Sequence, residues 1–445
     1  MRKIIIYIMG LWLAMSACSV ENDYIFDDIS TARLNQYIDE CDQVLLSSEH
    51  GWKMVYYPDT VFYGGYTFLM KFSDEKGKRV EMTSDLLDSV TVSSYSYNAS
   101  LGPVLNFDTY SLLHLLADPN PRAFGGNVGL GYNAEFEFLI SKVEQDKILL
   151  LGKKDKRATQ LVRATAQDWE DIEAQRKVIA DFNTFLPVEK TQPFYHYLRV
   201  GNDTAFCFYS PKLRMAYLTY VEGGKTVALN MPTSSTTRGI RFDRPVIFAG
   251  KSISELAFDA ATRKMSVLDE GINAECFWAA NVKDSCLLDF PDAVKMVQEY
   301  SEAFSLIERG YNLMNGTMDL DYRTDVQDYR WHWNLAGCPS LEVYVKNDEQ
   351  GINCTMGRLY DRDSIAQDHV GDRIFFKQIH PNSKHSGNVN NMLLINFSGY
   401  GSRVLDRWLA QEKGVMMIPV GGQFYMIKND DNLAWALFSP LQLNQ

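Results

Sequence analysis

Tyr195-His196-Tyr197-Leu198-Arg199-Val200, Ala205-Phe206-Cys207-Phe208-Tyr209, Met215-Ala216-Tyr217-Leu218-Thr219-Tyr220 and Thr226-Val227-Ala228-Leu229-Asn230 follow one another with only short breaks. Aromatic and β-branched runs of this length, separated by a few turn-forming residues, read as strands of an antiparallel set. The set continues through Gly239–Phe242 and Val246–Phe248, with a short helix expected at Ser252–Phe258 and a strand near Met265–Leu268.

Working outward, the preceding stretch repeats the pattern. Strands are expected at Trp52–Tyr57, Tyr66–Phe72, Val80–Thr83 and Ser89–Tyr97, with a hairpin formed by Glu135–Lys142 and Lys147–Lys153. A leading helix capped at Ser30 or Thr31 carries Leu34, Tyr37, Ile38, Cys41 and Leu45 at helical spacing. A short helix is expected at Ser111–Leu116, and Thr165–Phe182 reads as an amphipathic one with Trp169, Ile172, Ile179 and Phe182 on one face. Downstream, a helix is expected over Pro291–Arg309, stopped by Gly310. Strands then fall near Met314–Tyr322, Arg330–Leu335, Leu341–Val345, Arg373–Gln378, Met392–Phe397, Val415–Ile418 and Phe424–Lys428, with a helix near Arg403–Glu412.

The fold class this predicts is α+β but β-dominated, with antiparallel sheets punctuated by a few amphipathic helices. The organisation is a signal peptide (1–17), an acidic tether (18–29), an N-terminal β-rich unit with a leading helix (30–165), a second helix-led β-rich unit (166–288), and a helix with a C-terminal β-rich unit (289–445). An internal duplication is also suggested. Pro103-Val104-Leu105 before Ser111–Leu115 resembles Pro245-Val246-Ile247 before Ser252–Leu256, at similar points in the two strand sets.

At 445 residues and 46% hydrophobic content the chain can bury large cores without cross-links, and its net charge of −12 argues against a phosphate-neutralising surface and so against nucleic acid as a partner. The N-terminus pairs Arg2-Lys3 with an apolar run, Ile4 to Met15, and small residues before Cys18. That is a secretory signal rather than a membrane span, which needs roughly 20 apolar residues. Ser16-Ala17-Cys18 resembles the bacterial lipoprotein cleavage box, although Met15 stands where Leu is commonest. The resemblance implies that Cys18 is lipidated and holds the chain on a membrane. Removal of Arg2 and Lys3 with the signal takes the charge from −12 to −14. Ser19-Val20-Glu21-Asn22-Asp23 and Asp27-Asp28 resemble an acidic surface-export signal, interrupted by Val20 and Asn22.

Six cysteines remain, and Cys276–Cys286 and Cys338–Cys354 could meet across hairpins, the alternative being buried free thiols. There is no CxxC pair.

His50-Gly51-Trp52-Lys53-Met54-Val55-Tyr56-Tyr57-Pro58, Gly64-Gly65-Tyr66-Thr67-Phe68-Leu69-Met70-Lys71-Phe72, Val80–Asp85 and Gly129–Phe138 together resemble an uncharacterised family of lipoproteins of Bacteroidetes-type bacteria, known only as a domain of unknown function. The specific part covers roughly residues 30–160. The resemblance implies a place beside outer-membrane nutrient importers and their glycan-binding lipoproteins, and it supplies no catalytic residues. Physically these blocks read as structure. Trp52 lies opposite Val55 and Tyr57 on a strand, so that strand is expected to be buried between layers, with Gly64-Gly65 supplying a turn at positive φ.

Tyr329, Trp331 and Trp333 share one strand face, with Arg330 and His332 on the other. A row of flat rings can stack a sugar, or simply pack a core. His380 and His385, with His369 or Asp368, could approach a metal, but there is no HExxH or comparable helical spacing, loop histidines are usually solvated, and no metal is expected. The carboxylates Asp319, Asp321 and Asp325, and Asp361, Asp363 and Asp368, read as loop and strand-edge charges. Gly125–Gly131 lacks the Lys-Ser/Thr ending of a phosphate loop and reads as a mobile surface loop, a ligand rim at most. No cofactor is expected.

The function these observations favour is a lipid-anchored, non-catalytic binding or assembly component of a nutrient-uptake system at the outer membrane and cell surface. It would take a saccharide or peptide ligand and an outer-membrane transporter as partner. The competing reading is a secreted hydrolase with its site in the C-terminal unit.

Overall fold

The structure, a computed structural model, describes residues 25–99, 102–120, 123–127, 129–187, 189, 192–279, 295, 297–309, 326–335, 338–347, 351–359, 373–374, 415–428 and 435–441. Its described elements form three eight-stranded antiparallel sets. In the first unit α1 (Ile25–Leu46) leads into β1 (Trp52–Tyr56), β2 (Tyr66–Ser73), β3 (Arg79–Ser84), β4 (Val90–Asn98) and β5 (Val104–Phe107). After α2 (Leu112–Ala117) come β6 (Glu137–Val143), β7 (Lys147–Gly152) and β8 (Ala158–Arg163). These strands follow one another around a closed barrel, in which β8 pairs back onto β1.

The second unit begins with α3 (Ala166–Phe182). Thr165 caps it by accepting from the Asp168 backbone N–H, while the Asp168 carboxylate accepts from the Thr165 N–H, so two otherwise unpaired donors are satisfied. The strands are β9 (Tyr195–Val200), β10 (Asp203–Ser210), β11 (Met215–Glu222), β12 (Lys225–Ser235), β13 (Gly239–Phe248), β14 (Lys251–Asp259), β15 (Lys264–Val267) and β16 (Ala274–Ala279). The eighth strand again pairs with the first, β16 on β9, and the ladder is open between β15 and β16. Trp278 Nε1 spans that opening by donating to the Arg263 carbonyl at 2.9 Å.

The third unit keeps the same cyclic order. It comprises β17 (Ala303–Arg309), β18 (Val326–Leu335), β19 (Cys338–Asn347), β20 (Gly351–Leu359), β21 (Arg373–Ile374), β22 (Val415–Val420), β23 (Gln423–Lys428) and β24 (Trp435–Pro440). Here β24 pairs with β17, and the opening lies between β20 and β21. The β-dominated class is therefore observed, and the repeat of one eight-stranded plan is consistent with the duplication suggested by sequence. Pro103-Val104-Leu105 and Pro245-Val246-Ile247 lie at the fifth strand of their units, β5 and β13.

Several local expectations need correction. Ser252–Phe258 is strand β14, not a helix. The β13–β14 ladder shifts register between Arg241 and Val246, so Ile253 and Leu256 are both buried at a spacing of three that imitates a helix. The helix expected to reach Arg309 gives way to β17, whose Ala303, Phe304 and Ser305 are buried in succession between β18 and β24. Gly64 and Gly65 are not at positive φ. Cys276 is a free buried thiol, and the β19–β20 register sets Cys354 opposite Tyr344 rather than Cys338. Cys286, the Arg403–Glu412 helix, the Met392–Phe397 strand and the Met314–Tyr322 strand lie outside the described residues. No helix among the described residues is long and apolar enough to cross a membrane.

Candidate functional site

Eight strands make a barrel just wide enough to be filled by side chains or to hold one small ligand. In the first unit side chains fill it. Trp52, Met54 and Tyr56 point inward from β1 and meet Phe68, Met70, Met82, Leu105, Phe107 and Phe138, all buried in one cluster. Tyr56 packs edge-on to Phe138 at 5.6 Å and Phe72 to Tyr95 at 5.0 Å. One mouth is closed by α1, which buries Cys41 and Leu45 and accepts a 2.8 Å bond from Trp52 Nε1 at the Leu45 carbonyl. Asp42 of α1 accepts from the hydroxyls of Tyr95 and Tyr97, both at 3.0 Å, and from the Lys78 ammonium.

The other mouth of the first unit carries long connections, 57–65 and 108–136, and it is also filled. Tyr63 and Tyr66 pack on Tyr132 at 4.7 and 5.9 Å, and α2 buries Leu112, Leu113 and Leu116. This mouth is docked on the α3 end of the second unit. Gly64 N–H donates to the Leu213 carbonyl and Gly65 N–H to the Thr233 carbonyl, each at 2.8 Å. A Cβ on Gly64 would lie 2.1 Å from the Arg214 carbonyl oxygen, so close approach is what this glycine provides. Arg214 reaches back to Asp85 at 2.8 Å and to the Gly65 carbonyl at 3.0 Å, with its guanidinium 4.2 Å from the centre of the Tyr66 ring. The Asp85 charge raises the Arg214 pKa despite its burial.

The two units are thus stacked end to end, and the mouth of the second unit that points away from the seam is bare apart from the six-residue connection 268–273, whose Ile272 packs on the core. Its three hairpin connections each have two residues: Gly201-Asn202, Gly223-Gly224 and Ala249-Gly250. Positive φ at Gly223 (57°) and Gly224 (76°), and at Ala249 (49°) and Gly250 (69°), matches the tight turns whose twist suits paired strands. The closing pairs are Val200 with Asp203, Glu222 with Lys225 and Phe248 with Lys251. Between the turns lies a cleft of about 380 Å³, lined by Asn202, Asp203, Thr204, Tyr220, Glu222 and Phe248 among others. Tyr220 and Phe248 pack edge-to-face at 5.0 Å behind it and are themselves buried in the core, 8% and 2% exposed. Burial raises the Tyr220 pKa, and the Glu222 charge raises it further, so the phenol stays neutral and can donate.

A family model described as "Domain of unknown function (DUF4302)" matches residues 22–260, more than half of the chain. The chain belongs to this family. The matched stretch contains α1, the closed barrel, the Arg214–Asp85 seam and all three turns of the bare mouth, and it ends with β14; the third unit lies beyond it. No curated protein matches the chain.

The resemblance blocks occupy structural positions in this family fold. Trp52 faces the barrel core, while Lys53 on the opposite face pairs with Asp168 of α3 at 2.7 Å, so β1 is buried between layers as expected. Asn127 in the Gly125–Gly131 segment is buried and bonded to Ser439 of the third unit, which makes that segment a packed junction rather than a ligand rim.

The aromatic row is placed in the core. Tyr329 and Trp333 are buried and Trp331 is 0% exposed, with Trp331 and Trp333 edge-to-face at 5.1 Å and Trp333 against Phe424 at 5.7 Å. The row therefore packs the third sheet and offers no open shelf among the described residues. His332, half-buried, is on the other face of β18. Cys18, Asp319, Asp321, Asp325, Asp361, Asp363, Asp368, His369, His380 and His385 lie outside the described residues. Among the described residues no group of three or more His, Cys, Asp or Glu side chains could hold a metal.

Sequence reasoning missed the bare mouth, although Gly201-Asn202 and Gly223-Gly224 between apolar runs are hairpin signals. It also missed His196, which is fully buried between Phe185 and Trp278 and hydrogen-bonded through Nδ1 to the Cys207 carbonyl at 3.1 Å. Burial drives its pKa down to about 3, so it is a neutral core histidine.

Proposed function

We propose that the protein is a lipid-anchored, non-catalytic component of a nutrient-uptake system that captures a saccharide or peptide at the surface of the outer membrane, next to a transporter. The observation that carries this reading is the bare mouth of the second unit, at the end of the stack farthest from α1. Lipidation at Cys18 leaves six residues, 19–24, before α1 starts at Ile25, a reach of at most roughly 25 Å. The anchor then holds the α1 end near the lipid surface, and the cleft faces outward where a ligand arrives. The concave opening between the three turns, about 380 Å³ and lined by Asn202, Asp203, Thr204 and Glu222, is of a size that holds a small molecule.

Calorimetric titration of the full-length, detergent-solubilised protein with oligosaccharides and short peptides tests the reading, with the ligand recovered and analysed afterwards. Saturable binding and an intact ligand are expected. Cleavage of the ligand would favour the hydrolase instead.

A further inference from the structure

Between β15 and β16 the wall of the second unit closes without a backbone ladder. In the β14–β15 pairing Lys264 faces Asp259 and Ser266 faces Ala257, and the Leu268 N–H donates to the Glu255 carbonyl, so the even-numbered residues of β15 bond to β14. Arg263, Met265 and Val267 therefore turn their backbone groups toward the gap. Side chains take the place of the missing strand bonds. Trp278 Nε1 donates to the Arg263 carbonyl at 2.9 Å, and the Met265 N–H donates to His196 Nε2 at 3.4 Å. The Arg263 guanidinium lies 4.4 Å from the centre of the Trp278 ring and donates to the Thr184 and Phe185 carbonyls, which holds it over the joint.

We propose that His196 is the latch of this joint, and that a proton on its Nε2 releases β15 from β16 and opens the wall of the second unit. This goes beyond the capture reading and does not depend on it. Nδ1 lies 3.1 Å from the Cys207 carbonyl oxygen, which can only accept, so Nδ1 carries the hydrogen and Nε2 is left as the acceptor that the Met265 N–H needs. Protonation turns Nε2 into a second donor, so the bond to Met265 is lost and two N–H groups face each other. The new charge has nothing to meet it. Trp278 of β16 and Phe185 present rings, and Cys207 of β10 and Cys276 of β16 bring thiols that burial keeps protonated. The charged groups that act on the imidazole are Arg263 and Lys264, both cations. Burial and these cations favour the neutral ring while the joint is closed, and opening returns it to water and its ordinary affinity for a proton. Acid thus favours the open form. Below about pH 6.5 the ratio of open to closed rises up to roughly tenfold per pH unit, for the one proton taken up.

The experiment is thiol labelling of the full-length, detergent-solubilised protein with 4,4′-dithiodipyridine at about pH 7 and about pH 4.5, a span over which one proton shifts the opening by up to roughly two orders of magnitude. Modified cysteines are mapped by mass spectrometry, and rates are divided by that of glutathione at the same pH. Cys276, 6% exposed beside the joint, should label at least tenfold faster in acid, while Cys41, buried at the α1 end of the first barrel, should not change. His196→Gln keeps an acceptor for the Met265 N–H and cannot titrate, so the acid acceleration at Cys276 should vanish. Trp278→Phe removes the other bond of the joint and should label faster than the parent at both pH values; it tests the joint even if His196→Gln does not fold. Equal acceleration at Cys41 and Cys276 would mean that the whole protein loosens and would overturn a local latch. Acceleration that survives in His196→Gln would overturn the assignment to His196. A Cys276 that ignores acid in the parent, or a Trp278→Phe variant no faster than the parent, would overturn the joint itself.

Discussion

Arg214 and Asp85 meet at 2.8 Å across the junction of two units, with side-chain exposures of 7% and 0%. A guanidinium and a carboxylate so far from water are tolerable only when their remaining hydrogen-bond capacity is used. Here it is: Arg214 also donates to the Gly65 and Asp85 carbonyls, and Asp85 accepts from the Thr67 N–H at 3.1 Å and from the Ser235 hydroxyl. The pair ties the barrel to the second sheet, beside the backbone bonds of Gly64 and Gly65.

Breaking one side of this pair should be expensive. Arg214→Leu leaves the Asp85 carboxylate buried without its cation and is expected to cost about 3–5 kcal/mol in urea unfolding. Asp85→Leu combined with Arg214→Leu should recover much of that loss. A double variant as unstable as the sum of the two single variants would show that the pair is not coupled.

Gly64→Ala tests the same seam through sterics. The added methyl meets the Arg214 and Thr233 carbonyl oxygens at 2.1 and 2.4 Å, both backbone atoms of the other unit. A loss of about 1–3 kcal/mol is expected, read as a lower urea midpoint. An unchanged midpoint would mean that the units do not approach this closely.

The seam also shows why some of this architecture was legible beforehand and some was not. Strands such as β1, β2 and β10 announce themselves through aromatic and β-branched runs, and α3 through Thr165 and Asp168 at capping distance. Asp85 and Arg214 are 129 residues apart, and neither carries a local signal that distinguishes it from a surface charge. Gly64-Gly65 was legible as a special backbone position, but its reason is an approach by another unit, which only the tertiary structure supplies. The row of Tyr329, Trp331 and Trp333 was ambiguous for a related cause: alternation places rings on one face without saying whether another layer covers that face.

Because the row is covered, Trp331→Ala should act on stability. Removing a fully buried indole is expected to cost about 3–5 kcal/mol, seen as a large drop in melting temperature. A variant that melts like the parent protein would return the row to the surface.

His196 predicts a pH dependence. Its folded-state pKa of about 3 lies below the unfolded value of about 6.5, so between these limits the unfolded chain binds a proton that the folded chain refuses. Its contribution is therefore fully present above pH ~6.5 and is lost as the pH falls toward 3, with a limiting slope of about 1.4 kcal/mol per pH unit. His196→Gln should flatten the stability profile across that window. An equal slope in the variant would assign the acid sensitivity elsewhere.

Cys18→Ser should release the chain from membranes and abolish fatty-acid labelling. Retention of the variant in the membrane fraction after a high-salt wash would contradict the anchor.

The most direct measurement of the central claim is hydrogen–deuterium exchange on the full-length protein with and without an oligosaccharide or peptide that binds it. Protection is predicted in the three turns of the bare mouth, at 200–204, 220–225 and 248–251, with the seam segments 64–67 and 213–215 unchanged. Protection confined to the third unit, with those turns exchanging as freely as before, would contradict the account.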